Sequence, residues 1–575
     1  MIPALLEKIF KPVLAKYSDT PEKFLGMISR CGDPKFGDYQ ANFAMAMGKS
    51  LGKKPREVAE MIRTDVLENP EATALFESVE IAGPGFLNLK ISEGWMIKTL
   101  EYAAKDDRLG IAETENPKTI VIDFSSPNVA KPMHVGHIRS TIIGDSISRV
   151  LTFLGNRVIR DNHLGDWGTQ FGMIFYGWKH YLNEENFKED PIMELLRLYR
   201  IAREEMDADE NVANECRLEV ERLHSGDPEN RALWEKIMPY CLKEIDHAYE
   251  RLDIQFDETK GESFYNSRLP GVVQLLRDKG LATDSEGAVC VFFQGRETPM
   301  IVQKKDGAYL YATTDIATFL YRMEEFKPDA IYYVVDHRQS EHFVNFFEVT
   351  RMLGYEGVDL RHVKFGTILG EDGKPFKTRS GDTVGLDGLL DEAVERARNA
   401  IRQNEASSIS EEDFEETAQK IGIAALKYAD LSQNRESDYV FSYDKMLALN
   451  GNTATYMQYA YARVRSIFTR GGFDAKMICA NAKVQFTHPS ERALAMEILR
   501  FDEALEGVAK DNRPNFLTAY LYDLASKYSS FFENCPVLRA ENEEVRNSRL
   551  VLCDLTARTI QKGLELLGIQ TVEKM

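Results

Sequence analysis

From Thr119 to Phe124 the chain carries a short β-branched and apolar run, which predicts a buried strand. After it, Ile138, Ile142, Ile143, Ile147, Leu151 and Leu154 recur at three- and four-residue spacing and predict a helix from about Ile138 to Leu154. The alternation continues, with strand patterns at Ala288 to Phe293, Ala330 to Val335 and His362 to Phe365 and helical patterns at Ile316 to Glu325 and Glu341 to Leu353. Strands and helices taken in turn predict an α/β core with a parallel, doubly wound, Rossmann-like sheet.

Other patterns flank that core. Residues 1–105 read as a small α+β module, with helices near Ile2 to Tyr17 and Tyr39 to Leu51, and a polar passage from Lys105 to Lys118 has linker composition. The core is expected over 119–385, interrupted at about 181–260 by charged helices, one of them carrying Leu242, Ile245, Tyr249 and Leu252. Beyond Gly388 strand signals largely stop, so 386–450 is a helical connecting region and 451–575 an all-α bundle. In that bundle Phe516, Leu517, Tyr520, Leu521 and Leu524 share one face, as do Ile560, Leu564 and Leu567.

Composition narrows the function classes. A 575-residue chain with 43% hydrophobic residues has material for several domains. Without an early apolar run of signal-peptide form, or any stretch of about 18 apolar residues, it is expected in the cytosol and off the membrane. The seven cysteines form no Cys-x-x-Cys pair, which argues against zinc and a disulfide framework and for buried thiols. A net charge of −20 is awkward for a nucleic-acid partner. Much of the acid sits in stretches such as Glu204 to Glu210, most simply solvated helix faces, so the objection is weak.

The chemistry begins where the first strand meets its helix, in Ser126-Pro127-Asn128-Val129-Ala130-Lys131-Pro132-Met133-His134-Val135-Gly136-His137. A helix that starts there aims unpaired N–H groups at whatever lies above the sheet, and phosphates bind at such ends. Gly136 permits close approach to a nucleotide, and His134 and His137 can donate to phosphate oxygens. With ten His and 38 Gly, a His-x-Gly-His tetrad arises by chance roughly 0.01 times in this chain, so it is informative without being decisive. A second candidate is the glycine-bounded loop Lys364 to Asp382, where Lys374, Lys377 and Arg379 place three cations in six residues. Alone it reads as a solvated basic loop; beside the histidines it reads as a cover for a triphosphate.

These two segments, His134-Val135-Gly136-His137 and Lys374-Pro375-Phe376-Lys377-Thr378, resemble the paired signatures of class I aminoacyl-tRNA synthetases. The second departs from Lys-Met-Ser-Lys-Ser in its middle and last positions and keeps both lysines. Ser126-Pro127-Asn128, Asn162-His163-Leu164-Gly165-Asp166-Trp167-Gly168 and Tyr311-Ala312-Thr313-Thr314-Asp315 are similar to arginyl-tRNA synthetases in particular. So are Gly83 to Asn88, in the part of that family that touches the tRNA D-loop, and Asn450 to Arg463, at the opening of its anticodon-binding domain. The resemblance implies an arginine–tRNA ligase that uses ATP with Mg2+ on its phosphates, with tRNA(Arg) and L-arginine as partners, acting as a monomer and activating arginine only with tRNA bound.

By the same resemblance His134, Gly136, His137, Lys374 and Lys377 would hold ATP, with Lys131 added to the catalytic cations. Asn128 and Asn162 would orient the ends of the amino acid, and Glu262, Tyr311, Asp315 and Gln339 would surround its side chain. The chemistry agrees: a guanidinium with five donors needs a carboxylate and neutral acceptors at fixed angles. Asp315 lies one helical turn beyond Tyr311, so both could line one wall, although Asp315 could instead cap a helix and Tyr311 could be core filler. Candidates for RNA are Phe86 and Asn88, a stacker and an edge reader, and Tyr456, Gln458, Tyr459 and Arg463. Phe86 reads equally well as a buried strand residue, and Tyr459 with Arg463 as plain packing. Two other readings stand at this point: a nucleotidyltransferase acting on a small cofactor precursor, and a tRNA-binding paralogue without catalysis.

Overall fold

The computed structural model describes residues 2–131, 133–376, 385–403 and 409–575. Its centre is a five-stranded, all-parallel sheet. From one edge to the other the strands are Asp359–His362, Ala330–Tyr333, Thr119–Asp123, Arg157–Leu164 and Glu258–Gly261. Numbered along the chain, that order is 5-4-1-2-3. The strand order therefore reverses between the first and fourth strands, and the crevice at their carboxyl ends is where such sheets bind ligands.

Alternate residues of the first strand serve opposite faces. Ile120 and Ile122 pack into the cluster that contains Ile142 and Ile147 of helix Val135–Phe153, whereas Val121 packs with Ile316 and Phe346 of helices Tyr311–Glu325 and Ser340–Met352. Helices thus cover both faces, as a parallel sheet requires.

Several elements differ from the sequence expectation, four of them in ways that bear on the fold or the site. The run at Ala288 lies outside the parallel sheet: Ala288–Val291 pairs antiparallel with Ala282–Ser285 and Met300–Gln303. Glu286 (φ 53°) and Gly287 (φ 86°) close a two-residue hairpin that supplies the partner strand locally. The fifth strand is Asp359–His362 rather than His362 to Phe365, in register with Ala330–Tyr333. Tyr39–Ala41 is a strand paired with Leu87–Leu89, and the helix predicted from Tyr39 starts at Phe43. Finally, the helix expected from Ile316 starts at Tyr311, so Asp315 lies inside it and is not its cap.

Residues 181–260 hold the helices Glu184–Glu189, Pro191–Ala208, Glu210–Ser225 and Pro228–Leu252, after which Glu258–Gly261 returns to the sheet edge. The N-terminal module is a four-stranded antiparallel sheet with helices. It is clamped to the C-terminal bundle by Arg492, whose guanidinium reaches both oxygens of Asp38 at 3.0 and 2.8 Å. In the bundle, helix Glu543–Leu566 is buried along most of its length among helices Ala454–Gly471, Pro489–Ile498 and Asn515–Asn534. Six cysteines are buried free thiols and Cys31 is half-buried. Among the described residues no helix is long and apolar enough to cross a membrane.

Candidate active site

The turn after the first strand is strained and tightly held. Ser125 (φ 69°) and Ser126 (φ 47°) both adopt left-handed backbone, which side chains other than glycine rarely accept. The Ser125 amide donates to Ser140 Oγ at 2.9 Å, the Ser126 amide to Asn162 Oδ1 at 3.2 Å, and Ser126 Oγ to Asp123 at 2.9 Å. Asn162 is almost fully buried, and its Nδ2 donates to Tyr249 Oη at 3.0 Å. Both ends of its amide are therefore occupied, and it supports the turn from behind. Asn128 is exposed at the turn and bridges to Gly165 of the next loop.

Beyond the turn, His134 caps helix Val135–Phe153. Its Nδ1 accepts from the Gly136 amide at 3.0 Å, while His137 Nδ1 accepts from the His134 amide at 3.1 Å. Gly136 is needed because a Cβ there would sit 2.8 Å from the His134 ring. With each Nδ1 accepting, each imidazole carries its proton on Nε2, a donor left for a ligand. Burial, reinforced by the Lys131 ammonium, lowers the affinity of His134 for a second proton, and burial with the His134 and Lys131 charges lowers that of His137 to about 3. The rings lie 3.9 Å apart. At neutral pH the pair is two neutral donors side by side. Lys131 adds a full charge near them, its stem crossing the Tyr199 ring with Nζ 5.3 Å from the centroid.

The lysine loop is rooted in this helix. Arg139, 1% exposed, donates to the Gly366 carbonyl at 2.7 Å and pairs with Asp430 at 2.9 Å, fixing one end of the segment that carries Lys374. At its other end Gly385 bridges to His134, and the Leu386 amide donates to the Met133 carbonyl at 2.9 Å. Segments more than two hundred positions apart thus meet at the histidine turn. Lys374 is exposed on a tight hairpin closed by Gly370 N–H to Lys374 C=O at 2.8 Å. Lys377 lies outside the described residues.

An acidic socket opens at the same edge of the sheet. Asp315 projects from helix Tyr311–Glu325, and Tyr311, one turn earlier, is 61% exposed, which removes the core-filler reading. Glu262 begins the short helix Glu262–Tyr265, and Ser263 holds that helix to Asp166 through its amide (2.9 Å) and hydroxyl (2.6 Å). Gly261 is obligatory here, since a Cβ would meet Asp166 at 2.1 Å. Burial raises the Glu262 carboxyl, with Asp166 and Asp315 adding to the rise and His163 opposing it, so the socket carries acidic groups within electrostatic reach of one another. Such an arrangement favours a bound cation. Gln339 is exposed in the turn His337–Gln339 after the fourth strand, at the reversal of strand order.

Two features of the site were missed from the sequence. Arg322, fully buried, donates to Asp123 at 2.6 Å and Asp161 at 2.8 Å, fixing the socket helix to the end of the first strand and to the residue paired with it in the second. Its trace is the Asp that ends the apolar strand Thr119–Asp123 and the Asp that pairs with it in Arg157–Leu164. His342 Nε2 meets Asp315 Oδ2 at 2.6 Å.

Among the tRNA candidates, Phe86 is half-buried and Asn88 is buried with Oδ1 accepting from Gln40 at 2.8 Å. Gln458 is fully buried and donates to the Gln570 carbonyl at 2.8 Å. Tyr456 is half-buried beside Tyr522, and Arg463 lies 4.2 Å over the Phe532 ring. Tyr459 is exposed.

Nearly the whole length of the chain matches known families. Residues 4–91 match the arginyl tRNA synthetase N-terminal domain, 99–443 the class I tRNA synthetase (R) catalytic domain, and 457–575 the DALR anticodon-binding domain. The chain belongs to the arginyl-tRNA synthetases. Proteins named arginine–tRNA ligase from Escherichia coli K12 and Rhodopirellula baltica are 46% and 42% identical to it, each covered in full along with this chain. The crystal structure of the Plasmodium falciparum arginyl-tRNA synthetase superposes with a TM-score of 0.84 at 32% identity, over 100% of this chain and 98% of that one. The Thermus thermophilus structure shares the fold, with a TM-score of 0.83 at 24% identity and full coverage of both chains. As a class I synthetase of this family the chain is an ATP-using ligase.

Proposed function

We propose that this crevice joins L-arginine to ATP and passes the product to the 3′-terminal adenosine of tRNA(Arg), the arginine–tRNA ligase reaction. One observation carries the reading: an acidic socket and two neutral Nε2 donors share the carboxyl edge of one sheet, at the reversal of its strand order. The socket suits a guanidinium, the donors suit phosphate oxygens, and a nucleotidyltransferase of small precursors has no use for the C-terminal bundle.

In the first step a carboxylate oxygen of arginine attacks the α-phosphorus of ATP, and the bond to the β-phosphate breaks to release pyrophosphate. This chain contributes position and charge rather than covalent chemistry. His134 and His137 donate to phosphate oxygens as charge grows, and Lys131, Lys374 and Lys377 neutralise the leaving group. Mg2+ brought in on the ATP phosphates would add to that neutralisation. Asp315, Glu262, Tyr311 and Gln339 hold the guanidinium, Asn128 the amino-acid end, and Asn162 acts through the Ser126 turn. In the second step the 2′-hydroxyl of the terminal adenosine attacks the activated carbonyl and AMP leaves. Phe86, Tyr456, Tyr459 and Arg463 are the groups we assign to tRNA; Asn88 and Gln458 act by supporting them. We read the enzyme as a cytoplasmic monomer.

The test incubates the full chain with ATP, bulk tRNA and each of the twenty amino acids in labelled form. Acid-precipitable label is expected from arginine alone. Label from another amino acid, or none from folded protein, rejects the reading.

A further inference from the structure

We infer that His342 is a positioning residue of the arginine socket, setting the direction in which Asp315 presents its free oxygen to a guanidinium. This rests on the reading of Asp315 as an arginine ligand.

The geometry points one way. His342 rises from helix Ser340–Met352, and its Nε2 lies 2.6 Å from Asp315 Oδ2. A carboxylate can only accept, so His342 Nε2 carries the proton and donates it. Oδ2 is then spent on the imidazole, and Oδ1 keeps its lone pairs for the crevice. The Asp315 side chain is 30% exposed against 11% for His342, so a ligand reaches the carboxylate and not the ring behind it.

The ring itself cannot turn easily. Tyr311 meets it edge-on with centroids 4.8 Å apart, Phe343 does so at 5.3 Å, and Phe346 lies parallel to it at 6.1 Å. One side chain from the neighbouring helix therefore touches both Tyr311 and Asp315, the two socket residues a turn apart. Without it, the terminal torsion of an aspartate is broad and roughly two-fold, and a largely exposed tyrosine is free to swing.

Direction matters for this ligand more than for its competitors. A guanidinium is a planar fork that demands acceptors at fixed angles, whereas the ammonium of lysine or ornithine is a point charge satisfied from many directions. Loss of His342 should thus weaken arginine more than it weakens an ammonium side chain.

Steady-state aminoacylation by the full chain tests the inference. His342→Phe keeps an aromatic ring and removes the donor; it should raise the arginine KM about 10- to 100-fold, the loss expected for one charge-assisted hydrogen bond, with kcat and the ATP KM within about threefold. His342→Gln, whose amide nitrogen reaches the same oxygen, should return the arginine KM to within about fivefold of the parent, and the preference for arginine over lysine should fall in the Phe variant alone. In an Asp315→Asn background, His342→Phe should add less than about twofold, because the two side chains act as one unit.

An unchanged arginine KM in His342→Phe overturns the inference. So does an equal loss in kcat, ATP KM and arginine KM without rescue by Gln, or full multiplicativity in the double variant. Where His342→Phe does not fold, His342→Asn, too short to reach Oδ2, takes its place with the same criteria. Asp315→Asn alone separates the two claims: if it leaves the arginine KM unchanged, the socket reading fails, whereas a normal Asp315 effect with a silent His342 overturns only the present inference.

Discussion

At the scale of single residues, the account turns on which ring nitrogen holds a proton. Because Nδ1 of His134 and of His137 each accepts a backbone N–H, both imidazoles are neutral Nε2 donors, and His137 stays so down to about pH 3. Arginine activation should therefore show no titration of His137 between pH 6 and 8. The unfolded imidazole takes up its proton near pH 6.5, before the native one, so His137 removes stability as pH falls from about 6.5 toward 3. Replacing it with Gln should flatten that part of the stability profile, read by urea unfolding at each pH, and an unaltered slope would contradict the assignment. The same substitution should cost about 10²- to 10³-fold in kcat for activation, the usual effect of losing one preorganised donor. Lys374→Ala should lower kcat while leaving the melting temperature alone, since its ammonium is exposed in the hairpin. The two histidines stand out in the sequence by their spacing, and the lysine loop only when set beside them. His342 does not, because only the packing of two helices brings it to Asp315.

At the scale of elements, buried charge fixes what periodicity leaves open. The apolar stripe from Ile138 to Leu151 announces a helix, and the expected alternation of strand and helix is what the sheet contains, but neither says how the socket helix is aimed. Arg322 aims it. Buried between Asp123 and Asp161, it ties helix Tyr311–Glu325 to two adjacent strands. Arg322→Leu would strand two carboxylates in the interior, and we expect a loss of about 3–5 kcal/mol in urea unfolding together with a raised arginine KM. A loss below about 1 kcal/mol would show that the pair is solvated and not structural. The boundaries that the sequence misplaced have one theme: local partners outcompete pattern. Ala288–Val291 has the composition of a core strand yet pairs through its own hairpin, and Asp315, which could have been a cap, lies inside its helix and meets His342.

At the scale of the whole molecule, a single lysine sits where three parts of the chain meet. Lys427 is fully buried and donates to the carbonyls of Leu252 and Gly568, each at 2.6 Å, near Asp145 of the histidine helix. It joins the inserted helices, the catalytic core and the end of the C-terminal bundle. Burial lowers its pKa to about 8, against an ordinary 10.5, so the native state releases this proton first and gains stability as pH rises from about 8 to 10.5. Parent and Lys427→Met should differ in the pH dependence of stability in that interval, and parallel curves would refute the assignment. Nothing in the sequence pattern marks Lys427, since a lysine in an amphipathic helix reads as solvated. The fold class, by contrast, was legible, because the α+β start, the alternating strands and helices and the helical end each have their own periodicity. The central claim is that the imidazoles, the lysine loop and the acidic socket enclose one arginyl-adenylate. A crystal structure with a non-hydrolysable arginyl-adenylate analogue tests it most directly. The expected result has the guanidinium on Asp315 and Glu262 and the phosphate within hydrogen-bond distance of an imidazole Nε2. An analogue bound elsewhere, or bound here with its guanidinium turned away from Asp315, would contradict the account.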